Sequence, residues 1–367
     1  SPSGRDRVNG ADLPRNSAPA HCMTARLPET IRWVGEVDGH LELLDQTQLP
    51  HREQVLCIDN VDDLIAAIVR LSVRGAPAIG VAAAYGLVLG VRSAPSDREG
   101  YLEQLRAVAA ALRAARPTAV NLAWALDRCL RACEASPTAA TLLHESASIH
   151  ADEVAMARAI GMHGAALIPD GATIMTHCNT GRLATAGDGT ALAVVFAAWR
   201  EGRRFDVLAG ETRPLLQGAR LTALELSREG IPVRVCADGA GPGLIQRGEV
   251  DLVLVGADRI AGNGDAANKV GTYSLALACA ARGVPFYVVA PASTLDVGMA
   301  TGEEIPIEER NALEVTELLG ERIAPEGVGA RNPAFDVTPH HLITGIVTDA
   351  GVLSPPYSGQ IAALISR

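Results

Sequence analysis

"VDLVLVGADRIAGNGDAANKVGTYSLALACAARGVPFYVVAP" (residues 250–291) decides the fold. It opens on an unbroken aliphatic run from Leu252 to Val255 and passes a polar stretch. A helical pattern follows, closes on Arg282 and Gly283, and gives way to a second apolar run, Phe286 to Val289. Strands apolar on both faces belong to parallel sheets covered by helices on either side, so strand, helix, strand in this form is the unit of a doubly wound fold. The unit recurs in "ATIMTHC" (172–178), "FDVLAGE" (205–211), "VRVCAD" (233–238) and "LITGIVTD" (342–349). Between them, "GTALAVVFAAWREG" and "LTALELSREG" end in glycine, as helices often do.

In an open parallel sheet, ligands bind beyond the carboxyl ends of the strands. Polar residues gather there: Thr176, His177, Cys178 and Asn179 after the first strand, Glu211, Thr212 and Arg213 after the second, and Asp238 after the third. Asp258 and Arg259 follow the fourth strand, and Thr348 and Asp349 the last. Asn268 and Lys269 read as the start of the next helix, at the rim of this site. Lys269 is the only lysine in a chain whose Lys and Arg together number 32.

Upstream the rhythm differs. "TIRWVGEVDGHLELLDQTQLP" reads as a hairpin, and helical patterns run over 61–71, 77–91, 98–115, 118–134 and 138–163. The expected fold class is therefore α/β. A mainly helical N-terminal domain with a small sheet (28–164) precedes a Rossmann-like doubly wound parallel-sheet domain (165–367). Residues 1–27 are polar and rich in Pro, Arg and Asn, and read as a disordered extension without the apolar segment of a secretory signal. The long loop before the last strand is expected to carry its own helix near 308–319.

A net charge of −10 and an aromatic share of 3% exclude nucleic acid and acidic membrane surfaces as partners. The apolar run 75–91 is shorter than the roughly 20 residues of a span and reads as a buried helix. Seven cysteines without a CxxC pair point to a reducing cytoplasm rather than to a disulfide framework.

Two residues stand out chemically. Cys178, at a strand tip before a Gly-rich turn, suits a nucleophile or proton donor, although a lone cysteine is more often a packed small side chain. Asp258 closes an apolar strand, where burial raises a carboxyl pKa toward the range useful for proton transfer; a helix cap or an ion pair would be its structural alternative. "VRGAPAIG" (73–80) and "ARPTAVNL" (115–122) set Arg74 and Arg116 just before helix starts, where backbone N–H groups and a guanidinium can converge on an anion. The glycines of "ADGAGPGLI" (237–245) miss dinucleotide spacing, and no HExxH, P-loop, GxSxG elbow or clustered ligand motif is present, so neither cofactor nor metal is expected.

Six blocks in order, "VRGAPAIGVAAAYG", "RPTAVNLAWALDR", "THCNTGRLATAGDGTAL", "ETRPLLQGARLTALEL", "VGADRIAGNGDAANKVGTYSLA" and "NPAFDVTPHHLITGIVTDAG", resemble the methylthioribose-1-phosphate isomerases. The superfamily also contains ribose-1,5-bisphosphate isomerases and the regulatory subunits of translation initiation factor two-B. The resemblance runs from about residue 28 onward and implies a homodimeric aldose-ketose isomerase of methionine salvage that acts on a sugar phosphate without metal or nucleotide cofactor. It implies Cys178 and Asp258 as the catalytic pair, and Arg74, Gly75, Ala76, Arg116, Gln217, Asn268 and Lys269 as substrate contacts. "DGAGPG" after the third strand is more Gly-rich than the family pattern. An isomerase of ribose-1,5-bisphosphate or 5-deoxyribose-1-phosphate, or a non-catalytic regulatory homologue, are the alternatives.

Overall fold

The computed structural model describes residues 27–117 and 119–366; most of the expected N-terminal extension lies outside the described residues. Strands β1 (Ile31–Val34), β2 (His40–Leu44) and β3 (Val55–Ile58) form a small antiparallel sheet in that order. Helices α1 (Val61–Val69), α2 (Ala76–Gly90), α3 (Arg98–Ala115), α4 (Val120–Ala135) and α5 (Ala139–Gly164) follow. The expected helices are all present, with ends moved by a few residues. α2 lies at the centre of this bundle: Ala78 through Leu89 are all buried. Its small residues let α1, α3, α4 and α5 approach, and their apolar faces close one core around it. No helix among the described residues is long and apolar enough to cross a membrane.

The rest of the chain is built on a seven-stranded sheet. Its members are β4 (Thr173–Thr176), β5 (Asp206–Gly210), β6 (Val233–Cys236) and β7 (Leu252–Val255), then, after β8 (Arg259–Ala261) and β9 (Ala266–Lys269), β10 (Phe286–Val289). The later strands are β11 (Leu295–Asp296), β12 (Glu317–Leu318), β13 (Glu321–Arg322), β14 (Phe335–Thr338), β15 (Gly345–Thr348) and β16 (Gly351–Leu353). The order across the large sheet is β16-β15-β10-β7-β4-β5-β6. β16 alone runs antiparallel to its neighbour; the other six strands are mutually parallel. Counted along the chain, the parallel strands fall in the spatial order 3-2-1-4-5-6 of the Rossmann fold.

Alternation along each strand feeds two cores. Ile174, Val207, Leu252 and Leu254 face α6 (Ala191–Arg200) on one side. Met175, Leu208, Val253 and Val255 face the other side, against α8 (Gly241–Gln246), α9 (Thr272–Arg282) and α11 (Tyr357–Ile365). α7 (Ala223–Arg228) continues from a π-helical turn at Gly218–Thr222, and α10 (Leu313–Thr316) is a single turn.

Three local expectations are corrected. The N-terminal hairpin has a third strand, β3. The helix expected over 308–319 is only α10, followed by the short β12–β13 hairpin. Asn268 and Lys269 do not start a helix: they end β9, in a second sheet of order β11-β8-β9-β14, and α9 begins at Thr272.

The sheet order predicts unequal costs of truncation. Leu254 is fully buried on central β7, so Leu254→Ala should lower stability by about 2–5 kcal/mol. Val235 is 47% exposed on edge strand β6, and its alanine variant should cost less than about 1 kcal/mol. Chemical-denaturation midpoints of the two variants check this; equal shifts would contradict the order.

Candidate active site

Between the helical region and the carboxyl edge of the large sheet lies a cavity of about 1000 Å³. All nine residues singled out in the sequence line it: Arg74, Gly75, Ala76, Arg116, Cys178, Gln217, Asp258, Asn268 and Lys269. The chain topology explains the convergence. β4 and β7 are neighbours although the crossovers after them leave in opposite directions, and a crevice opens where the strand order reverses. Cys178 sits two residues beyond the end of β4, and Asp258 three beyond the end of β7.

Cys178 is held in an uncommon backbone conformation, with φ at 65°. Non-glycine residues in that region carry a strain of order 1–3 kcal/mol that neighbours must offset. Its N–H donates to Thr212 Oγ1 at 2.9 Å, and its carbonyl accepts from Thr222 Oγ1 at 2.6 Å. Thr212 hangs from the end of β5 and Thr222 from the π-helical turn, so two elements clamp the cysteine. Asn179 continues the arrangement: its amide donates to buried Glu225 Oε1 at 2.7 Å, and its carbonyl oxygen accepts from Arg74 Nη2. Arg74 also donates to Gln46 Oε1 at 3.3 Å. One guanidinium thus ties the helical region to the loop after β4.

Asp258 lines the cavity, its side chain accessible to the cavity space yet densely surrounded by protein. Desolvation pushes its pKa up, and the charges of Lys269, Arg74 and Arg116 oppose that rise. Water in an open cavity weakens the desolvation, and a substrate that expels the water restores it. Arg116 is buried enough that desolvation lowers its pKa, and Glu308 and Arg310 stand within electrostatic reach of it. Lys269 Nζ donates to the Ala334 carbonyl at 2.8 Å and lies 4.8 Å from the centre of the Phe335 ring, across the β9–β14 ladder.

An anion cradle faces these groups. α2 begins at Gly75 without a side-chain cap, leaving first-turn N–H groups at the cavity wall. Gly75 has φ 91°, and a Cβ there would stand 2.2 Å from the Ala184 carbonyl oxygen, so no other residue fits. α4 also starts uncapped at the same wall. Gln217 is buried, and its Oε1 has no hydrogen-bond partner among the described residues. Such an orphaned acceptor in a cavity wall is suited to a ligand hydroxyl.

Several lining residues escaped the sequence reading. Gln46, Glu308 and Arg310 reach the cavity from outside the quoted motif blocks, and Phe335 lies within one of them without having been singled out. Of the other strand-end residues, Asn179 and Arg259 also line it, while His177 and Asp238 do not. His177 and Asp238 border a separate space of about 160 Å³, together with Gly239 and Gly241 of the Gly-rich loop, which does not reach the main cavity. His177 Nε2 makes a 2.8 Å hydrogen bond to the Val270 carbonyl, joining the end of β4 to the turn after Lys269. Burial lowers its pKa, favouring the neutral imidazole.

Residues 72–355 match the Initiation factor 2 subunit family. The methylthioribose-1-phosphate isomerase of Pelotomaculum thermopropionicum is 55% identical over 340 residues, covering 91% of this chain and 93% of that protein. The same-named protein of Desulforudis audaxviator is 54% identical over 334 residues, covering 90% and 95%. Among solved structures, 5-methylthioribose 1-phosphate isomerase from Pyrococcus horikoshii superposes with a TM-score of 0.87 at 40% identity, covering 94% of this chain and 97% of that one. A structure titled translation initiation factor eIF-2B, subunit delta, from A. fulgidus gives 0.83 at 39%, covering 92% and 99%. With the strand order and this breadth of similarity together, the chain belongs to the Initiation factor 2 subunit family, among its methylthioribose-1-phosphate isomerases.

Proposed function

We propose that the protein converts 5-methylthioribose 1-phosphate to 5-methylthioribulose 1-phosphate, the aldose-ketose isomerisation of methionine salvage. The observation that carries this reading is the meeting of Cys178 and Asp258 in one cavity with an anion cradle and the cationic side chains of Arg74, Arg116 and Lys269. The relatives named as this isomerase support the substrate.

The chemistry follows from the substrate. Its anomeric oxygen carries the phosphate, so the furanose ring does not open spontaneously to an aldehyde. Opening needs acid at the ring oxygen, and hydrogen must then pass from C2 to C1. The phosphate is assigned to the uncapped start of α2 at Gly75 and Ala76, with Arg74, Arg116 and Lys269 as counter-charge. Gln217 and Asn268 bind sugar hydroxyls. Asp258, neutral when the cavity is closed over substrate, donates the proton to the ring oxygen. Cys178 assists transfer at C1 and C2, by moving a proton or stabilising the transition state.

In this reading residues 28–164 and 165–367 act as two domains that each contribute one wall of the site. The protein works in the cytoplasm, whose reducing state suits the six free cysteines described. It works as a homodimer, in which a second copy covers apolar side chains exposed around 313–323, Leu319 at 79% among them.

A panel of pentose 1-phosphates differing at C5, with the ketose detected directly, tests the function. The methylthio compound should be turned over with the highest kcat/KM, and preference for a bisphosphate would contradict the assignment. Asp258→Asn should lower kcat by about 100-fold or more, and activity of the parent should fall as pH rises through the Asp258 pKa, since the protonated form is the acid. Its effect on stability has the opposite sense. A carboxyl whose pKa is raised in the folded state binds its proton more tightly there, so it costs stability above the folded pKa and none below the unfolded value. Asp258→Asn should therefore match or exceed the parent in thermal midpoint at pH 7, and the difference should vanish at low pH. Cys178→Ser should cost about 100-fold in kcat, and a loss of only a few-fold would leave the cysteine a packing role. Lys269→Arg should raise KM, because a planar fork replaces a compact charge held between the Ala334 carbonyl and Phe335; unchanged kinetic constants would remove Lys269 from the site.

A further inference from the structure

The small N-terminal sheet gathers a second set of reactive side chains, away from the cavity. In the antiparallel β2–β3 ladder Glu42 stands opposite Cys57, and Leu41 opposite Ile58. Side chains two apart on a strand share a face, so His40 lies beside Glu42, and Asp59, one residue past β3, lies beside Cys57. Opposed residues bring their Cβ atoms within about 4.5–5.5 Å. The register thus collects four ligand-type side chains on one face. A ring nitrogen of His40, Cys57 Sγ and a carboxylate oxygen of Asp59 lie within 4.8 Å of one another.

We infer that His40, Cys57 and Asp59 form a binding site for a borderline-soft divalent transition metal such as Zn²⁺ or Co²⁺, with a fourth position open to solvent.

The donor set selects the metal class. Thiolate and imidazole suit zinc and its first-row neighbours, whereas Mg²⁺ and Ca²⁺ prefer oxygen alone. Metal–ligand distances of about 2.0–2.3 Å in a tetrahedron put neighbouring ligand atoms roughly 3.3–3.8 Å apart. The observed spread needs to close by about 1 Å, a rotamer adjustment open to exposed side chains. Cys57 and Asp59 are exposed and His40 half-buried, so an ion enters directly from solvent. Glu42 supports the site: its Oε1 lies 3.6 Å from His40 Nε2, and its Oε2 pairs at 2.6 Å with Arg32, offsetting that guanidinium's charge beside the site. None of these residues lines the large cavity, so the site is separate from the isomerase chemistry.

Titration of the full chain with Co²⁺, read by absorption, tests the inference. The expected result is a saturable one-to-one thiolate-to-cobalt charge-transfer band with tetrahedral visible bands, displaced by Zn²⁺. Cys57→Ser should abolish the band, and His40→Ala and Asp59→Asn should each weaken binding by at least about 10-fold. Isomerase kcat/KM should stay unchanged in all three, and Zn²⁺ should raise the thermal midpoint of the parent but not of Cys57→Ser. Absence of the band in the parent, or its persistence in Cys57→Ser, would overturn the site.

Discussion

The parallel pairing of β4 with β7 is the constraint on which the rest depends. Ile174 opposite Leu252 and Met175 opposite Val253 bring strands separated by more than seventy residues into contact. Chain order reverses at that seam, so the crossovers on either side diverge and leave the crevice unfilled. Its two tips carry Cys178 and Asp258. A one-residue slip would send Leu252 and Leu254 to the wrong core, so the hydrophobic pattern of β7 also fixes the position of the carboxylate.

The site sets opposing physical demands against one another. Asp258 needs an environment dry enough to hold a proton, yet an anionic substrate needs cations, which favour the ionised carboxylate. The structure meets both through distribution: Arg74 precedes α2, Arg116 closes α3 and Lys269 ends β9, while Asp258 follows β7. Cys178 is strained at a tip, and Thr212 and Thr222 hold it there. Beneath it, Glu225 is wholly buried, with a pKa raised by desolvation and countered by donors from Asn179 and the backbone of Arg182. The loop after β4 is thus shaped by groups that never face the cavity.

Much of this was legible in the sequence, for identifiable reasons. Five of the six parallel strands and the long helices give strong signals, because each is buried on a complete face or on both; edge strand β6 is not. The nine candidate site residues follow from strand-tip logic and from the resemblance that the ordered motif blocks carry. What escaped has weaker local signals. β3, β8 and β9 are three- or four-residue antiparallel strands, and Asn268 and Lys269 were read as helical because the Leu275 to Cys279 pattern follows so closely. Gln46, Glu308 and Arg310 contribute through tertiary placement alone. The cluster of His40, Cys57 and Asp59 has no recognisable spacing, since the missing strand β3 is what assembles it.

On the proposed function, sugar chemistry takes place between the tips of β4 and β7. A crystal structure of the Asp258→Asn variant with bound 5-methylthioribose 1-phosphate tests it most directly. The phosphate is expected at the Gly75–Ala76 helix start, with the ring oxygen and C2 between residue 258 and Cys178. A sugar bound with C1 and C2 beyond hydrogen-bonding reach of both side chains would contradict it.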